Sequence, residues 1–348
     1  MDINVQEHVP LGPHTTMGVG GSARYWTSCA TIDELRAALE WAQTRGLAVQ
    51  VLGGGSNTIF ADGTYPGLVL KIELKGIEQV ECGQGVTMKV AAGEDWDQFV
   101  AHSIDAQVSG IECLSGIPGQ VGATPIQNVG AYGQDVAQTI TQVQALDLDS
   151  LELVTFTNQD CGFSYRSSRF KAADRGRFII IQVSFLLHRG IKPELNYPEL
   201  RERLEAGRAA SAAVRDAVMA LRRAKSMVLD PQDPNARSAG SYFLNPIILG
   251  PQLDAVEERW KQTGDDSVIP RFEESGGGAK IPAAWLVENS GFGKGFRFGQ
   301  AGISQNHALA IVAHGTCAAD VVRLGEMIQE AVEKRFGILL DPEPVVVR

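Results

Sequence analysis

The sequence predicts an α+β fold, and three observations lead to that class. A helix predicted at 31–46 is followed by a short apolar strand at 47–52, which ends in a glycine-rich turn. Apolar runs typical of strands then dominate the chain as far as residue 187. Two further helices come only late in the chain. This order favours helices and strands in separate layers over a repeating βαβ array.

The helix at 31–46 has the clearest signals of any element. Thr31 and Glu34 form a capping box at its start, and Gly46 is a typical C-terminal stop. Its apolar stripe consists of Ile32, Leu35, Leu39 and Ala42. Further strands are predicted at 68–72, 86–91, 140–148, 151–157 and 178–187, and further helices at 211–225 and 318–336.

Composition places the chain among ordinary globular proteins. Its 348 residues are enough for two or three domains. The formal net charge of -10 argues against a general binder of nucleic acid or of anionic membranes. No apolar stretch reaches the length of a membrane-spanning helix, and the N-terminus lacks the features of a secretory signal. The five cysteines share no metal-site spacing, which predicts reduced thiols, a cytoplasmic location and no metal centre.

The segment 115–135 is the most informative part of the sequence. It contains five glycines and two prolines, interleaved with Ile117, Val121, Ile126, Val129 and Tyr132. Glycine lets bare backbone approach a partner closely, and exposed backbone N–H groups in such turns bind anions. The pattern therefore predicts a loop that holds a dinucleotide pyrophosphate. A tight structural crossing of two elements is the alternative.

A second glycine-rich turn, Gly53-Gly54-Gly55-Ser56-Asn57, directly follows a predicted strand. It is not a GxGxxG fingerprint and no obvious helix opens after it, which argues against a Rossmann fold. Backbone amides together with the Ser56 hydroxyl could form a phosphate cradle. A hairpin-like turn is the alternative.

Three more segments carry polar groups in distinctive settings. The stretch 162–171 combines three cations with three aromatic residues, and a packed arginine there can grip a carboxylate with two hydrogen bonds. Ser241 lies on a glycine-flanked turn without the GxSxG pattern of serine hydrolases, and its hydroxyl can serve as a proton donor. Pro342-Glu343-Pro344 holds a carboxylate in a rigid turn. A solvated loop, a turn serine and an exposed acidic turn are the corresponding alternatives.

In this order, these segments resemble the UDP-N-acetylenolpyruvoylglucosamine reductase family over nearly the whole chain. The matching segments are 15–21, 53–57, 115–133, 165–166, 239–246, 304–309 and 342–343. The resemblance implies an α+β fold with a vanillyl-alcohol-oxidase-type FAD-binding module in two halves, at 1–72 and 73–225. It also implies a smaller α+β substrate-binding domain at 226–318, and a C-terminal helix and strand at 319–348 that return to the active site.

The resemblance also implies how the chain binds FAD. Largely main-chain contacts would hold the pyrophosphate and the ribityl chain, which explains the glycines. The implied cofactor residues are Gly53, Gly54, Gly55, Ser56, Asn57, Ser115, Gly116, Ile117, Gly119, Gly122, Ala123 and Arg222.

The implied reaction has two halves. NADPH first reduces the FAD. Reduced FAD N5 then gives hydride to the enolpyruvyl group of UDP-N-acetylglucosamine enolpyruvate, which yields UDP-N-acetylmuramate for peptidoglycan precursor synthesis. By resemblance, Arg166 grips the substrate carboxylate, Glu343 supports the enolic intermediate, and Ser241 delivers the proton.

The nucleotide sugar would have its own contacts. Tyr197 matches the tyrosine that members with an extended loop swing onto the diphosphate, and Lys225 would contact phosphate. The other implied substrate residues are Tyr165, Asn245, Lys294 and His307. A monomer is expected, with no metal and no nucleic-acid or membrane partner.

Two other functions remain open at this point. An FAD-dependent oxidase or dehydrogenase of the same fold, acting on a hydroxy acid or alcohol, would have no nucleotide-sugar pocket. A non-enzymatic nucleotide-binding or scaffold protein would be colourless, and would leave Arg166, Ser241 and Glu343 without a shared role.

Overall fold

The structure is a computed structural model that describes residues 3–83, 85–191, 195–204, 210–265, 267–274 and 277–348. The chain divides into two compact units. The first unit consists of Met1–Val9, Ala23–Gly55 and Thr64–Leu229, and the second of Pro10–Ser22, Ser56–Gly63 and Asp230–Arg348. The four-part division predicted from the sequence stays a prediction.

Two sheets form the framework of the first unit. The four-stranded sheet has the order Gln6–Pro10, Ser22–Cys29, Thr64–Ile72, Val49–Leu52. The six-stranded sheet follows the path Leu153–Thr157, Ile140–Asp147, Phe178–Arg189, Gly85–Ala91, Ile77–Cys82, with Val108–Ser109 beside Phe178–Arg189. Neighbours in the second sheet are antiparallel, whereas Val49–Leu52 and Thr64–Ile72 are parallel.

Helices cover these sheets and connect their strands. The α-helices of the first unit are Ile32–Gln43, Trp96–Asp105, Asn158–Cys161, Pro198–Arg203 and Ser211–Ala224, with 3₁₀ turns at Glu112–Leu114, Val121–Ala123 and Val136–Gln138. Gly130–Ala131 and Gln134–Asp135 form a small hairpin. The main buried cluster draws on both sheets and on three of the helices, and includes Leu35, Leu70, Val90, Trp96 and Phe185.

Short strands and longer helices build the second unit. Its strands are Thr58–Phe60 parallel to Val345–Val347, the antiparallel set Ile247–Leu249, Gly278–Lys280, Phe272–Glu274, and the antiparallel set Arg297–Phe298, Ala301–Ile303, Ile311–Ala313. Its helices are Gly250–Lys261, Ala283–Glu288 and Ala318–Phe336, with a 3₁₀ turn at Gly12–His14. The apolar core of this unit includes Ile59, Tyr242, Trp260, Leu286 and Phe336.

The strongest local signals in the sequence are confirmed. Thr31 caps the helix Ile32–Gln43, and its side chain accepts a hydrogen bond from Glu34 N at 3.2 Å. The helix Ala318–Phe336 has the predicted bounds and stops at Gly337, whose φ is 72°. The helices Trp96–Asp105, Gly250–Lys261 and Ala283–Glu288 were not predicted. Within the described residues, none of the helices is both long and apolar enough to cross a membrane.

Candidate active site

Two glycine-rich segments of the first unit approach each other closely. A Cβ atom added to Gly54 would lie 2.6 Å from the Cα atom of Gly119. There is room at this position only for the hydrogen atom of a glycine. A Cβ atom on Gly53 would lie 3.2 Å from Gln120 Oε1. Lys71 Nζ donates to the carbonyl oxygen of Gly53, and Gly55 turns the chain with a φ of 65°. The two backbones therefore form a narrow glycine-lined cradle.

Gln120 supplies an acceptor to this cradle. Its Nε2 donates to Ile72 O at 3.1 Å and to Gly93 O at 3.2 Å, which fixes the orientation of the amide. Its Oε1 is buried and, among the residues that the structure describes, has no hydrogen-bond partner. Such an orphaned acceptor costs about 1–3 kcal/mol, so a donor from a ligand fits there. The hydroxyl groups of FAD are donors of this kind, and its phosphate oxygens are not.

Asp97 anchors the start of the segment 115–133. Gly116, at a φ of 72°, donates its N–H to Asp97 Oδ1 at 2.6 Å. Arg215 binds both oxygens of the same carboxylate, at 2.6 and 2.8 Å. Burial opposes ionisation of Asp97, but these hydrogen bonds outweigh it and hold the pKa of the carboxyl below its usual range. The glycine loop is thereby tied to the helix Ser211–Ala224.

Arg222 lies against the same loop. It is 7% exposed, and it donates from Nη2 to Met227 O at 2.7 Å. A Cβ atom on Gly116 would lie 3.2 Å from Arg222 Nε, and in the described part of the chain that buried Nε has no partner. Burial lowers the pKa of this guanidinium. A buried cation with a spare donor beside a glycine loop fits an acceptor on an anionic cofactor.

Other parts of the segment serve the fold. A Cβ atom on Gly122 would lie 2.5 Å from Ala92 Cβ, and Gly122 N donates to Ala92 O at 2.9 Å. Ser115 is fully buried, and its Oγ donates to Glu112 O at 2.7 Å. Ala123 N donates to Gln120 O at 3.0 Å. Ile117 packs against the main buried cluster. Gly122 therefore packs against Ala92 as the structural-crossing alternative expects, and its place among the cofactor residues stays a prediction.

A tight turn presents Tyr165 and Arg166. Backbone hydrogen bonds of 3.0 and 3.2 Å join Ser164 and Ser167 on either side of them. Arg166 takes a left-handed conformation with a φ of 52°, and its guanidinium carbon lies 5.9 Å from the centre of the Tyr165 ring. Lys171 Nζ donates to Arg166 O at 3.0 Å. The turn thus places one aromatic ring and one guanidinium group next to each other on the same short loop.

The glycine-rich segment holds that turn in place. Asn128 Nδ2 donates to Ser164 O at 3.1 Å, and Ser168 Oγ donates to Ile126 O at 2.6 Å. A Cβ atom on Gly130 would lie 3.2 Å from Arg166 Nη1. Arg166 and Arg222 are close enough for each charge to affect the other. Both cations therefore border the same segment of glycine-rich backbone.

Tyr197 and Lys225 lie in the same region of the first unit. The ring of Tyr197 packs edge-on against Tyr132, with 5.1 Å between ring centres. Lys225 Nζ pairs with Glu199 at 3.0 Å. Burial works against the charged form of Lys225, but Glu199 outweighs it and raises the pKa of the ammonium group. Tyr132 also interacts with Arg222, which links the two tyrosines to the cations.

Backbone hydrogen bonds in the second unit bring Ser241 beside Glu343. Glu343 N donates to the carbonyl oxygen of Tyr242, the residue after Ser241, at 2.8 Å. Tyr242 N donates in turn to Leu309 O at 2.7 Å. Gly240 precedes the serine with a φ of 79°. Two predicted catalytic residues that are far apart in the chain therefore lie on adjacent backbone segments.

Ser56 and Asn57 also belong to the second unit. Asn57 Nδ2 donates to Glu343 O at 3.1 Å, and Val345 N donates to Asn57 O at 2.9 Å. These bonds continue the parallel pairing of Thr58–Phe60 with Val345–Val347. The turn after Gly55 therefore positions the backbone of Glu343.

The predicted nucleotide residues of this unit have different surroundings. His307 Nδ1 accepts from Leu309 N at 3.0 Å, which places the proton of the neutral ring on Nε2. Asn245 Oδ1 accepts from Ala283 N at 2.9 Å, at the start of the helix Ala283–Glu288. Lys294 is exposed. His307 is thus tied through Leu309 to the Ser241 segment, whereas the Asn245 oxygen is committed to the fold.

The predicted site residues divide between the units. Arg166 lies in the first unit, and Ser241 and Glu343 lie in the second, so their convergence stays a prediction. Among the residues described, no group of three or more His, Cys, Asp or Glu side chains is placed to hold a metal ion. Sequence reasoning missed Gln120, although a lone polar residue within a glycine-rich, apolar segment is a usable signal. It also missed Asp97, for which the sequence gives no signal.

Comparison with known proteins identifies the family. Residues 231–347 match the UDP-N-acetylenolpyruvoylglucosamine reductase C-terminal domain family, and residues 24–155 match the FAD binding domain family. A UDP-N-acetylenolpyruvoylglucosamine reductase of Thermobifida fusca is 41% identical over 354 residues, which covers 100% of this chain and 99% of that protein. One of Streptomyces avermitilis is 42% identical over 354 residues, covering 99% and 96%.

A solved structure agrees with these relatives. The crystal structure of UDP-N-acetylenolpyruvylglucosamine reductase from Thermus caldophilus is 25% identical, covers 100% of both chains and gives a TM-score of 0.66. The predicted α+β fold with an FAD-binding module is thereby confirmed. The agreement extends from one end of the chain to the other, so the protein belongs to the UDP-N-acetylenolpyruvoylglucosamine reductase family and is an FAD-dependent oxidoreductase.

Proposed function

We propose that the protein catalyses the NADPH-dependent reduction of UDP-N-acetylglucosamine enolpyruvate to UDP-N-acetylmuramate. The observation that carries the proposal is the match to reductases of this name along the full length of the chain. The chemistry of the individual residues supports it. Within the proposal, the enzyme is a cytoplasmic monomer that supplies peptidoglycan precursor synthesis.

Several backbone segments hold the cofactor in this proposal. NADPH would first reduce the bound FAD, and the reduced FAD would then supply the hydride that reduces the substrate. The cofactor residues are those proposed from the sequence, namely Gly53, Gly54, Gly55, Ser56, Asn57, Ser115, Gly116, Ile117, Gly119, Gly122, Ala123 and Arg222. Gln120 joins them, because its buried Oε1 requires a donor. Arg222 contributes its spare Nε donor to an acceptor group.

Arg166 stabilises the charge that develops during reduction. Hydride addition to C3 of the enol ether leaves negative charge on C2 and on the attached carboxylate. A guanidinium group stabilises such an enolate-like species most when it is already in place. The left-handed turn at Arg166 and its fastening by Asn128 and Ser168 supply that preorganisation.

Ser241 and Glu343 complete the reaction by handling the proton. Ser241 donates a proton to C2, and Glu343, on the adjacent segment, supports the enolic intermediate. An isolated serine is a poor acid, so it needs a neighbouring group that supports proton transfer. The backbone bond between Glu343 and Tyr242 keeps the carboxylate-bearing residue beside the serine-bearing segment.

The remaining proposed contacts bind the nucleotide sugar. Tyr197 and Lys225 take the diphosphate, and Tyr165 borders the substrate next to Arg166. Asn245, Lys294 and His307 lie on the uridine diphosphate side. In the proposal, Nε2–H of the neutral His307 ring donates to an oxygen of the nucleotide, since Nδ1 accepts from Leu309 N.

The colour of the bound flavin tests the proposed function directly. The purified protein is expected to be yellow, to bleach anaerobically on addition of NADPH, and to regain its colour when the enolpyruvyl nucleotide is added. Mass spectrometry should then find the nucleotide heavier by two hydrogens. Flavin that is reduced directly by a hydroxy acid or alcohol, and not reoxidised by the nucleotide, would favour the oxidase alternative. A colourless protein that binds no FAD would refute both.

A further inference from the structure

The ion pair between Lys225 and Glu199 lies within the proposed diphosphate site. Lys225 Nζ is 3.0 Å from Glu199 Oε2 and 3.4 Å from Oε1. The side chains are 33% and 44% exposed. Ion pairs this accessible are held weakly, because water and salt compete for both partners. The contact can therefore form and break at little cost.

Tertiary packing fixes the position of this pair. The helices Pro198–Arg203 and Ser211–Ala224 share a small apolar cluster that contains Leu200, Val218 and Leu221. Glu199 is the second residue of the first helix, and Lys225 is the residue that ends the second. The carboxylate therefore reaches the ammonium group because two helices are packed together, and not because the residues are close in sequence.

The surroundings of Lys225 favour an anion. The rings of Tyr132 and Tyr197 pack edge-on with 5.1 Å between their centres, and both phenols lie near enough to Lys225 to influence its pKa. Tyr132 also lies beside the buried Arg222. Arg222 in turn feels the charge of Arg166. Cations and phenolic hydroxyls are the groups that bind phosphate oxygens. Glu199 supplies a negative charge to this group from the protein itself.

We propose that Glu199 is an internal competitor for Lys225, which the diphosphate of the nucleotide substrate must displace. In the free enzyme the carboxylate neutralises the ammonium group and keeps it next to Tyr197. When the nucleotide binds, Lys225 exchanges the carboxylate for phosphate oxygens. Glu199 thereby lowers the affinity for nucleoside diphosphates and speeds release of the product. This inference rests on the proposed function, since it assumes that Lys225 receives a diphosphate.

The substitution Glu199→Gln isolates the charge from the geometry. Glutamine has the same length, and its Oε1 can still accept from Lys225, so the packing of the two helices is kept. Glu202→Gln is the matched control, because Glu202 is an exposed glutamate on the same short helix. Absorbance of bound FAD and the thermal unfolding midpoint serve to establish that each variant is folded.

Calorimetric titration of the oxidised holoenzymes with UDP measures the expected effect. Removing one charge beside a diphosphate should tighten UDP binding about threefold to fivefold in Glu199→Gln, at the upper end of the range for exposed ion pairs. Glu202→Gln should leave the Kd within about twofold, because Glu202 is exposed to solvent and salt screens the charges of exposed side chains. The gain from Glu199→Gln should shrink as salt is raised.

A Lys225→Met background completes the test as a double-substitution cycle. The gain from Glu199→Gln should be smaller there, because the competition needs the ammonium group. UDP binding that is unchanged or weaker in Glu199→Gln, or an equal gain in both backgrounds, would overturn the role of Glu199 while leaving the proposed function intact. A wild-type enzyme that does not bind UDP at all would overturn both.

Discussion

The two units hold their functional residues by different means. In the first unit, glycine backbones meet at distances that exclude side chains, and two buried polar atoms, Gln120 Oε1 and Arg222 Nε, have no protein partner among the described residues. In the second unit, two hydrogen bonds join Asn57, Glu343 and Tyr242 in series: the Asn57 side chain donates to the Glu343 carbonyl, and the Glu343 N–H donates to the Tyr242 carbonyl. The first arrangement leaves hydrogen-bonding capacity for a ligand, as a binding surface for a large cofactor requires. The second fixes the relative position of the backbone segments that carry Ser241 and Glu343, the two residues proposed to handle the proton.

The largest effect is expected in the second unit, from Ser241→Ala. Losing a positioned donor commonly lowers turnover by about 10²–10³. Because cofactor binding is assigned mainly to the other unit, reduction of FAD by NADPH should persist. Stopped-flow absorbance separates the two half-reactions. Ser290→Ala is the control, since its buried Oγ has no partner within the described residues. Fast reoxidation of the flavin by the enolpyruvyl nucleotide in Ser241→Ala would remove the serine from the mechanism.

Gly54→Ala tests the close approach in the first unit. The new Cβ atom would lie 2.6 Å from Gly119 Cα, where a backbone and not a flexible side chain must give way. Overpacking of this kind costs about 1–3 kcal/mol, so the melting temperature and the FAD content should both fall. Gly250→Ala is the control, because a Cβ atom there would meet no described residue within 4 Å apart from its immediate neighbours in the chain and helix. A Gly54→Ala protein with full stability and full FAD content would contradict the cradle.

Asp97→Asn tests the fastening of the glycine loop to the helix Ser211–Ala224. The substitution replaces the carboxylate that accepts hydrogen bonds from Arg215 and Gly116 by a neutral amide. This should destabilise the protein at neutral pH by about 2 kcal/mol. The pKa of Asp97 is lower in the folded protein than in the unfolded chain. The stabilisation is therefore complete above the unfolded pKa and is lost as the pH falls through the folded pKa.

Urea unfolding at a series of pH values measures this difference. The gap between wild type and Asp97→Asn should close below about pH 4, where the unfolded carboxyl takes up its proton. Asp33→Asn is the control, since that side chain is 72% exposed in its pair with Arg36. A gap that stays constant from neutral to acid pH would exclude a role for the Asp97 charge.

The smallest effect is expected from Gln120→Met. It removes the acceptor proposed to face FAD, and one such bond is worth about 1 kcal/mol, or roughly a fivefold change in Kd. Fluorescence titration of the apoprotein with FAD measures the affinity, and melting of the apoprotein separately measures the loss of the bonds to Ile72 and Gly93. Gln50→Met, at a half-buried glutamine of the same unit, is the control. An unchanged affinity for FAD would mean that Gln120 serves the fold alone.

Local sequence signals predicted a useful part of the fold and of the site. The capping box of Thr31 and the left-handed stop at Gly337 depend on neighbouring residues, and both are confirmed. Short-range patterns did not predict the helix Gly250–Lys261, which begins after Leu249 without a side-chain cap and buries only Val256 and Trp260. Its stability comes from packing against residues distant in the chain, which periodicity detects poorly.

The sequence by itself determined where bare backbone is needed and which family the chain resembles, because glycine spacing and motif order are properties of the linear chain. Only the tertiary structure decided which polar atoms those glycines leave without a partner. It also decided that Asp97 anchors Gly116, that Glu199 meets Lys225, and that Ser241 lies beside Glu343. The physical reason is that hydrogen bonding and charge pairing act over a few ångströms, whereas the partners can lie far apart in the chain. Asp97 and Arg215, for example, are 118 positions apart.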